Sequence, residues 1–343
     1  MCRYCTIVPK SVLLKLSEDD RLSKAVRDGL ANTAKLDAET RKIREQALKL
    51  TRTSFAVSQG IATLAAAPSV LVYDCKNSQA LPGTPISNPG SSADGTIKRA
   101  FDTTTAVAKF YKTLFGRNSI DNAGMTMQSS VHYGVNYNNA FWNGFQMTYG
   151  DGDGAIFVDF TQGDDVVCHE LTHGVTQYSL QLAYANQAGG LNESASDVFG
   201  VMFNQWRASQ TGGTTSWLIG GDIMGSQAKA SGYTCLRDMA DPGGNHCLAP
   251  QPVHYSDYAP GMDPHESSGI PNFAFYKIAT AIGGNSWDKP GQIWYRTLTG
   301  SRPSPNMRMK TFANRTRKWA AKLYPGDAAV AQAVDDGWQQ VGL

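Results

Sequence analysis

Charge is scarce in this chain. Lys, Arg, Asp and Glu together make up 17% of its 343 residues, and the formal net charge is only +2. That is below the usual quarter, and it leaves no basic field of the kind that draws nucleic acid. Long apolar runs are missing too. No stretch reaches the roughly 18 apolar residues a membrane span needs. The start does not read as a secretory signal either: the apolar run Ser11 to Leu16 is short, is interrupted by Lys15, and precedes no small-residue cleavage site. The run Ile61 to Val72, with Pro68 inside it, lies too far along to serve. Cysteine is sparse. Cys2, Cys5, Cys75, Cys168, Cys235 and Cys247 are too scattered for a disulfide framework. Cys235 and Cys247 could close a short loop or remain two free thiols. Cys2-Arg3-Tyr4-Cys5 has C-x-x-C spacing, but no strand precedes it and no helix pattern follows directly, which excludes a thioredoxin-type reading.

What is present is enough apolar residue, 41%, to fill the core of two ordinary domains or one large enzyme, together with 34 glycines that suit a loop-rich fold. The charge is unevenly spread. Residues 1–60 carry 12 Lys and Arg against 7 Asp and Glu, a net of +5, and the other 283 residues carry 19 against 22, a net of −3. Two differently built segments therefore meet near residue 60. The first reads as two amphipathic helices, one behind the capping run Ser17 to Asp20 with Leu22, Ala25, Val26 and Leu30 on one side. The other is capped by Asp37 and carries Ile43, Ala47 and Leu50. Ala62 to Pro68 reads as a junction that could be cut. Beyond it, Leu71–Tyr73, Met125–Val131 and Ala155–Phe160 are strand candidates among Gly-rich turns. Asp164 and Asp165 open a helical pattern, and the rest is mostly helical: Asn192–Trp206, Pro271–Ile282, Lys289–Leu298, Pro305–Leu323 and Ala328–Val341.

The helix after Asp165 contains His169-Glu170-Leu171-Thr172-His173. Histidines at i and i+4 project from one helix face a turn apart, so both imidazoles can reach one cation, and Glu170 beside them can face a metal-bound water. This H-E-x-x-H pattern could by itself be an ordinary helix face. Twenty residues on, Gly189-Gly190-Leu191-Asn192-Glu193-Ser194-Ala195-Ser196-Asp197 begins another helix, with Glu193 and Asp197 on one side. Glu193 can be a third ligand and Asp197 can hold a ligand's second ring nitrogen, which leaves a fourth zinc position open.

With these motifs the sequence resembles the thermolysin-like zinc metalloendopeptidases (gluzincins), most like the protealysin-type branch in its precursor form. The likeness also runs over Tyr73-Asp74, Leu81-Pro82-Gly83-Thr84, Arg117 to Met125, Tyr137 to Gly144, the Gly150 to Gly154 turn and Ser268 to Asn272. It implies an α+β, two-domain fold: a β-rich N-terminal half, a helical C-terminal half and the active-site helix between them, preceded by a small helical pro-segment. The expected boundaries are 1–67 for the pro-segment, 68–178 for the β-rich domain and 179–343 for the helical domain. The resemblance implies that His169, His173 and Glu193 bind one Zn2+, that Glu170 is general base and then proton donor, and that Asp197 orients His169. Tyr184 and His265 would stabilise the oxyanion and Arg237 would hold a substrate carbonyl. Alone, Tyr184 would read as a packed tyrosine and Arg237 as a surface ion pair. Asn139, Ala140 and Trp142 match the strand that pairs with substrate backbone. Phe157, Phe160, Val166, Ile219 and Leu236 match an apolar wall, which implies cleavage on the amino side of bulky hydrophobic residues.

Two departures stand out. The carboxylate that braces the family's second histidine has no counterpart at its usual place, and Asp263 or Asp257 could replace it at His265. Of the family's paired calcium site only Asp165 remains, with Asn204, Ser216, Leu218 and Gly221 at the other ligand positions, so that site is expected to be absent. His132, His246 and His254 lack motif context and read as structural or exposed. The basic pro-segment would block the cleft, and its charge is complementary to the acidic remainder, although a solvated helix face explains the charges equally well. Cys2 and Cys5 are candidates for a zymogen switch, a thiolate filling the fourth zinc position, against the alternative of exposed thiols at a terminus. The expected substrates are proteins or peptides, with a proteinaceous inhibitor as a further partner, no nucleic acid, no membrane, and a monomer. The expected location is the cytoplasm, as a zymogen, or outside the cell by a non-classical route. An inhibitory protein on a dead protease scaffold and a zinc aminopeptidase are the competing readings. The intact site argues against the first, and the lack of a free-amine site against the second.

Overall fold

The computed structural model describes residues 5–51, 69–211 and 215–343. The pro-segment supplies strand β1 (Cys5–Thr6) and helices α1 (Lys10–Ser17) and α2 (Lys24–Thr51). The two helices expected here, one behind Ser17–Asp20 and one capped by Asp37, are a single helix, α2, and α1 was not expected; Ser17 is the last residue of α1. Asp37 caps nothing; it lies inside α2, which runs unbroken for 28 residues, and it is buried. A carboxylate among Thr33, Leu36 and Ala38 looks like a cap in sequence, whereas it reaches Tyr137 and Asn139, about a hundred residues away.

A mixed six-stranded sheet follows in spatial order β1-β5-β6-β4-β2-β3, made from β2 (Val70–Asp74), β3 (Thr84–Pro85), β4 (Met127–Val131), β5 (Ala140–Trp142) and β6 (Met147–Tyr149). The pro-segment thus contributes the outermost strand: β1 runs antiparallel to β5, with Cys5 opposite Trp142 and Thr6 opposite Phe141. Helix α3 (Gly95–Phe115) packs against β2 and β4. Its N-terminus is capped by Asp94, whose Oδ1 accepts from the Thr96 N–H at 2.8 Å. It ends at Gly116 with φ 68°, a left-handed turn that glycine adopts without a Cβ clash. The sequence reading did not find this helix, because Thr103-Thr104-Thr105 interrupts the helix-forming residues. The strand expected over Ala155–Phe160 is not formed. Asp153 Oδ1 accepts from the N–H groups of Ala155 and Ile156, both at 2.8 Å, which ties the start of the segment into a turn. Only Phe157 then makes an isolated bridge, to Met224.

Helix α4 (Asp164–Gln177) is buried almost throughout and lies against α5 (Asn186–Thr211), the longest helical contact of the fold. A Cβ on Gly200 would sit 2.8 Å from the Asp165 carbonyl oxygen, so glycine permits this approach. A short ribbon of β7 (Leu218–Ile219) and β8 (Arg237–Asp238) flanks α6 (Ser226–Ala230). The remainder is helical: α7 (Pro264–Ser267), α8 (Gly269–Ile282), α9 (Lys289–Thr299), α10 (Met309–Leu323) and α11 (Ala328–Gln340), close to the expected limits except that α10 begins at Met309 rather than Pro305. Trp294 and Trp338 stack at 5.8 Å at the centre of this half. No helix of the described residues is long and apolar enough to cross a membrane.

Candidate active site

The crossing of α4 and α5 brings the two motifs together. His169 and His173 leave α4, and Glu193 and Asp197 leave α5; all four are buried. His169 Nδ1 donates to Asp197 Oδ1 at 2.8 Å, and His173 Nδ1 donates to Asn192 Oδ1 at 2.9 Å. Asn192 is held in that orientation because its Nδ2 donates to the Leu182 carbonyl at 3.1 Å. With both Nδ1 atoms engaged as donors, both Nε2 lone pairs face inward, 3.1 Å apart. Glu193 joins them with its carboxylate 3.3 Å from His169 Nε2 and 3.5 Å from His173 Nε2, and neither of its oxygens has a hydrogen-bond partner. Two inward lone pairs and an orphaned buried carboxylate are mutually repulsive unless a cation lies between them, and two imidazoles with one carboxylate suit zinc. The donor set therefore fits the expected metal.

Glu170 points beside this cluster. Its Oε2 accepts from the Trp142 N–H at 2.9 Å while Oε1 has no protein partner. Burial pushes its carboxyl well above the usual range, with His169 opposing and Glu193 adding to the rise. Burial works in the same direction on Glu193, but the surrounding imidazoles, His265 first, prevail and hold it well below its ordinary value. For His173, burial dominates and lowers the imidazole to about 4.

Asp197 serves two masters, since Arg237 pairs with it through Nε at 2.9 Å and a second guanidinium nitrogen at 2.8 Å, and Asn272 Nδ2 donates to it at 2.8 Å. Arg237 is wholly buried, so the surface ion-pair alternative does not hold. His265 Nδ1 lies 2.8 Å from Asp263 Oδ1, which makes Asp263 the bracing carboxylate. Its Nε2 is 3.2 Å from the Tyr184 hydroxyl. Asp165 gives its Oδ2 to the Gly220 N–H at 2.6 Å and its Oδ1 to the Val166 N–H at 2.9 Å, so backbone donors take the carboxylate. Phe157, Phe160, Val166, Ile219 and Leu236 are all fully buried, and the Leu236 N–H donates to the Ile219 carbonyl at 2.9 Å. His132 is ion-paired to Asp151 and Asp94, His246 to Asp238, and exposed His254 caps a short 3-10 turn.

The pro-segment runs through the middle of these groups. The Thr6 carbonyl accepts from His265 Nε2 at 2.6 Å and the Ile7 carbonyl from Arg237 at 3.1 Å. Val8 exchanges two hydrogen bonds with the Asn139 side chain, its N–H to Oδ1 at 2.9 Å and its carbonyl from Nδ2 at 3.1 Å. Cys5 is buried, not exposed; its sulfur falls within 4.8 Å of the donor atoms of His173 and Glu193, and it is disulfide-bonded. Cys2 lies outside the described residues. Four contributors were not assigned a role at the site by the sequence reading. Asn192 and Ser196 both reach His173 Nδ1, and their i, i+4 spacing directly beside Glu193 and Asp197 was the available signal. Asn272 stood in the Ser268 to Asn272 motif but with no role attached, and Asp37 read only as a cap, because both meet the site only through the fold.

Comparison with known proteins identifies the family. The family model for the thermolysin metallopeptidase catalytic domain matches residues 41–177, and that for the alpha-helical domain matches residues 180–343. An extracellular metalloprotease of Pectobacterium carotovorum is 41% identical over 283 residues, covering 79% of this chain and 80% of that protein. Protease PrtS of a Photorhabdus strain is 39% identical over 285 residues, covering 79% and 76%. Among solved structures, the precursor of protealysin, a metalloproteinase from Serratia proteamaculans, superimposes with a TM-score of 0.82 at 36% identity, covering 98% of this chain and 99% of that one. The chain belongs to the thermolysin family of metallopeptidases, as a protealysin-type metalloendopeptidase.

Proposed function

We propose that this chain is a zinc endopeptidase in zymogen form that cuts on the amino side of bulky hydrophobic residues and removes its own pro-segment. The observation that carries the zymogen reading is the peptide Cys5–Val8 in the cleft, bonded carbonyl by carbonyl to His265 and Arg237. The Thr6–Ile7 bond is then the mimic of the scissile bond, and the buried Ile7 side chain is the one offered to the wall of Phe157, Phe160, Val166, Ile219 and Leu236.

A zinc ion held by His169, His173 and Glu193 would supply the Lewis acidity that brings a water's pKa toward neutrality. Glu170, raised by burial, takes that water's proton and returns it to the leaving amine. His265, with Tyr184 beside it, donates to the carbonyl oxygen as charge develops there, and Asp263 keeps the ring turned to do so. Arg237 and the Asn139 fork fix the backbone on the leaving-group side, and the Asp197 pair locks Arg237 in position. In its reduced form Cys5 is placed to offer a thiolate to the fourth metal position and so strengthen latency.

Maturation is proposed within Ala62–Ser69, most of which lies outside the described residues. Val70–Tyr73, just beyond this junction, is paired on β4 along its length, so a cut there would break the sheet. The paired calcium site is proposed to be absent, with the Asp165 to Gly220 hydrogen bond in its place. The substrates are proteins or peptides.

The deciding experiment is Glu170→Gln. It should retain one equivalent of zinc at this site, lose about 100- to 10,000-fold in peptide hydrolysis, and leave the full chain intact on storage. Normal self-processing would overturn the assignment of the base. A Cys5→Ser variant that matures no faster than wild type under reducing conditions would remove Cys5 from the latency mechanism.

A further inference from the structure

A second cluster of metal-type ligands lies outside the active site, drawn from the chain on both sides of β8. Cys235 and Cys247 are both buried and both free, they face each other across a parallel bridge, and their sulfurs are 3.7 Å apart. A ring nitrogen of His246 lies within 4.8 Å of both. His246 Nε2 is 3.1 Å from Asp238 Oδ2, the carboxylate-to-imidazole contact that orients metal-binding histidines. A Cβ built on Gly244 would meet the His246 ring at 2.3 Å, so glycine there lets the loop close on the ring.

Two thiolates on one tetrahedral zinc, each bonded at about 2.3 Å, stand about 3.8 Å apart. The observed spacing is that of co-ligands and far exceeds the roughly 2.05 Å of a disulfide. A disulfide would also leave the braced His246 without a part to play. The backbone is already set for a clamp. Thr234 N–H donates to the His246 carbonyl at 2.9 Å, Leu248 N–H to the Cys235 carbonyl at 3.0 Å, and Ala249 N–H to the Leu236 carbonyl at 2.9 Å.

We propose that Cys235, His246 and Cys247 form a second, structural zinc site, with Asp238 orienting His246 and water completing the coordination. It ties the loop between residues 238 and 247 to the strand that carries Leu236 and Arg237, and so braces the substrate-binding arm from behind.

The test counts metal on the full-length chain in the Glu170→Gln background, purified in reductant and equilibrated with zinc chloride before desalting. Two zinc equivalents per chain are expected, falling to one with Cys247→Ser, and a mercurial thiol reagent should release one equivalent from the parent. His246→Gln, a change at a half-exposed ring that should not unfold the chain, is expected to weaken the second equivalent by at least about tenfold. His173→Ala should abolish the first equivalent and spare the second, which separates this site from the catalytic one. In a cobalt-substituted Cys5→Ser chain, a thiolate-to-cobalt charge-transfer band should persist and vanish with Cys247→Ser. One equivalent in the parent chain, no band, or a Cys235–Cys247 disulfide in a non-reducing peptide map of the zinc-equilibrated protein overturns the proposal.

Discussion

His265 donates in two directions at once, to Asp263 from Nδ1 and to the Thr6 carbonyl from Nε2. Asp263 itself is held below the ordinary carboxylate range: burial raises it, but the hydrogen bond from His265 and the charge of that ring outweigh the burial. Asp263→Asn should therefore reduce kcat by about 10- to 100-fold with little change in KM, the signature of a group that orients a donor and does not bind substrate. An equal rise in KM would show that Asp263 shapes the pocket instead. His132 gives a residue-scale prediction away from the cleft. Its hydrogen bond to Asp151 outweighs burial and, with the charges of Asp151, Asp94 and Asp74, raises it to about 9. A histidine raised on folding stabilises the fold fully below its unfolded value of about 6.5, and the gain is lost as pH rises through about 9. His132→Gln in the Glu170→Gln background should melt below its parent at pH 6 and level with it near pH 10. An equal gap at both pH values would refute the linkage. The residues legible in the sequence were those whose neighbours lie on one helix face: His169 with His173, and Glu193 with Asp197. Asp263 was legible only as one of two candidates, because loop geometry and not spacing decides between it and Asp257.

At the scale of elements, the metal site is a property of how α4 lies on α5. Neither helix holds a complete ligand set, so affinity depends on their separation. Gly200→Val should force the helices apart, cost about 1–3 kcal/mol of stability, and weaken zinc binding together with it. A full loss of melting temperature with unchanged zinc affinity would show that the helices repack without moving their ligands. The contact between α4 and the turn after β7 is held by the Asp165 to Gly220 hydrogen bond, so a calcium chelator at levels that spare zinc should leave the melting temperature unchanged. A large drop would reveal a calcium site after all. Helices of the C-terminal half could be read from apolar spacing, because each buries one face. Helix α3 could not, since Thr103 and Thr104 are buried on its core face and carry no apolar signal. Ala155–Phe160 failed in the opposite way. Its composition favours a strand, and the single side chain of Asp153 decides otherwise.

For the whole molecule, the division of charge near residue 60 marks a division of labour, yet charge is not what joins the parts most visibly. Ion pairs of the pro-segment such as Arg21–Asp19, Lys24–Asp28 and Arg27–Asp20 run within it. Its attachment to the rest is the added strand β1, the Asn139 fork and the buried Asp37, which binds the Tyr137 hydroxyl and Asn139 Nδ2. These contacts span more than a hundred residues, which is why no local pattern announced them. Ile7→Asp would bury an unpaired carboxylate at a cost of several kcal/mol and should hasten maturation by about tenfold or more. Unchanged maturation would show that the strand, not the side chain, sets latency.

The peptide held between His265 and Arg237 also makes the precursor a record of its own selectivity. Because position 7 is offered to the enzyme covalently and once per molecule, a library of residues there, expressed as full-length chains and sorted by the time each stays whole, would rank the pocket's preferences without any added substrate. The residues that hold the cleft longest would be those it accommodates best, so the zymogen's lifetime becomes the readout of the mature enzyme's choice.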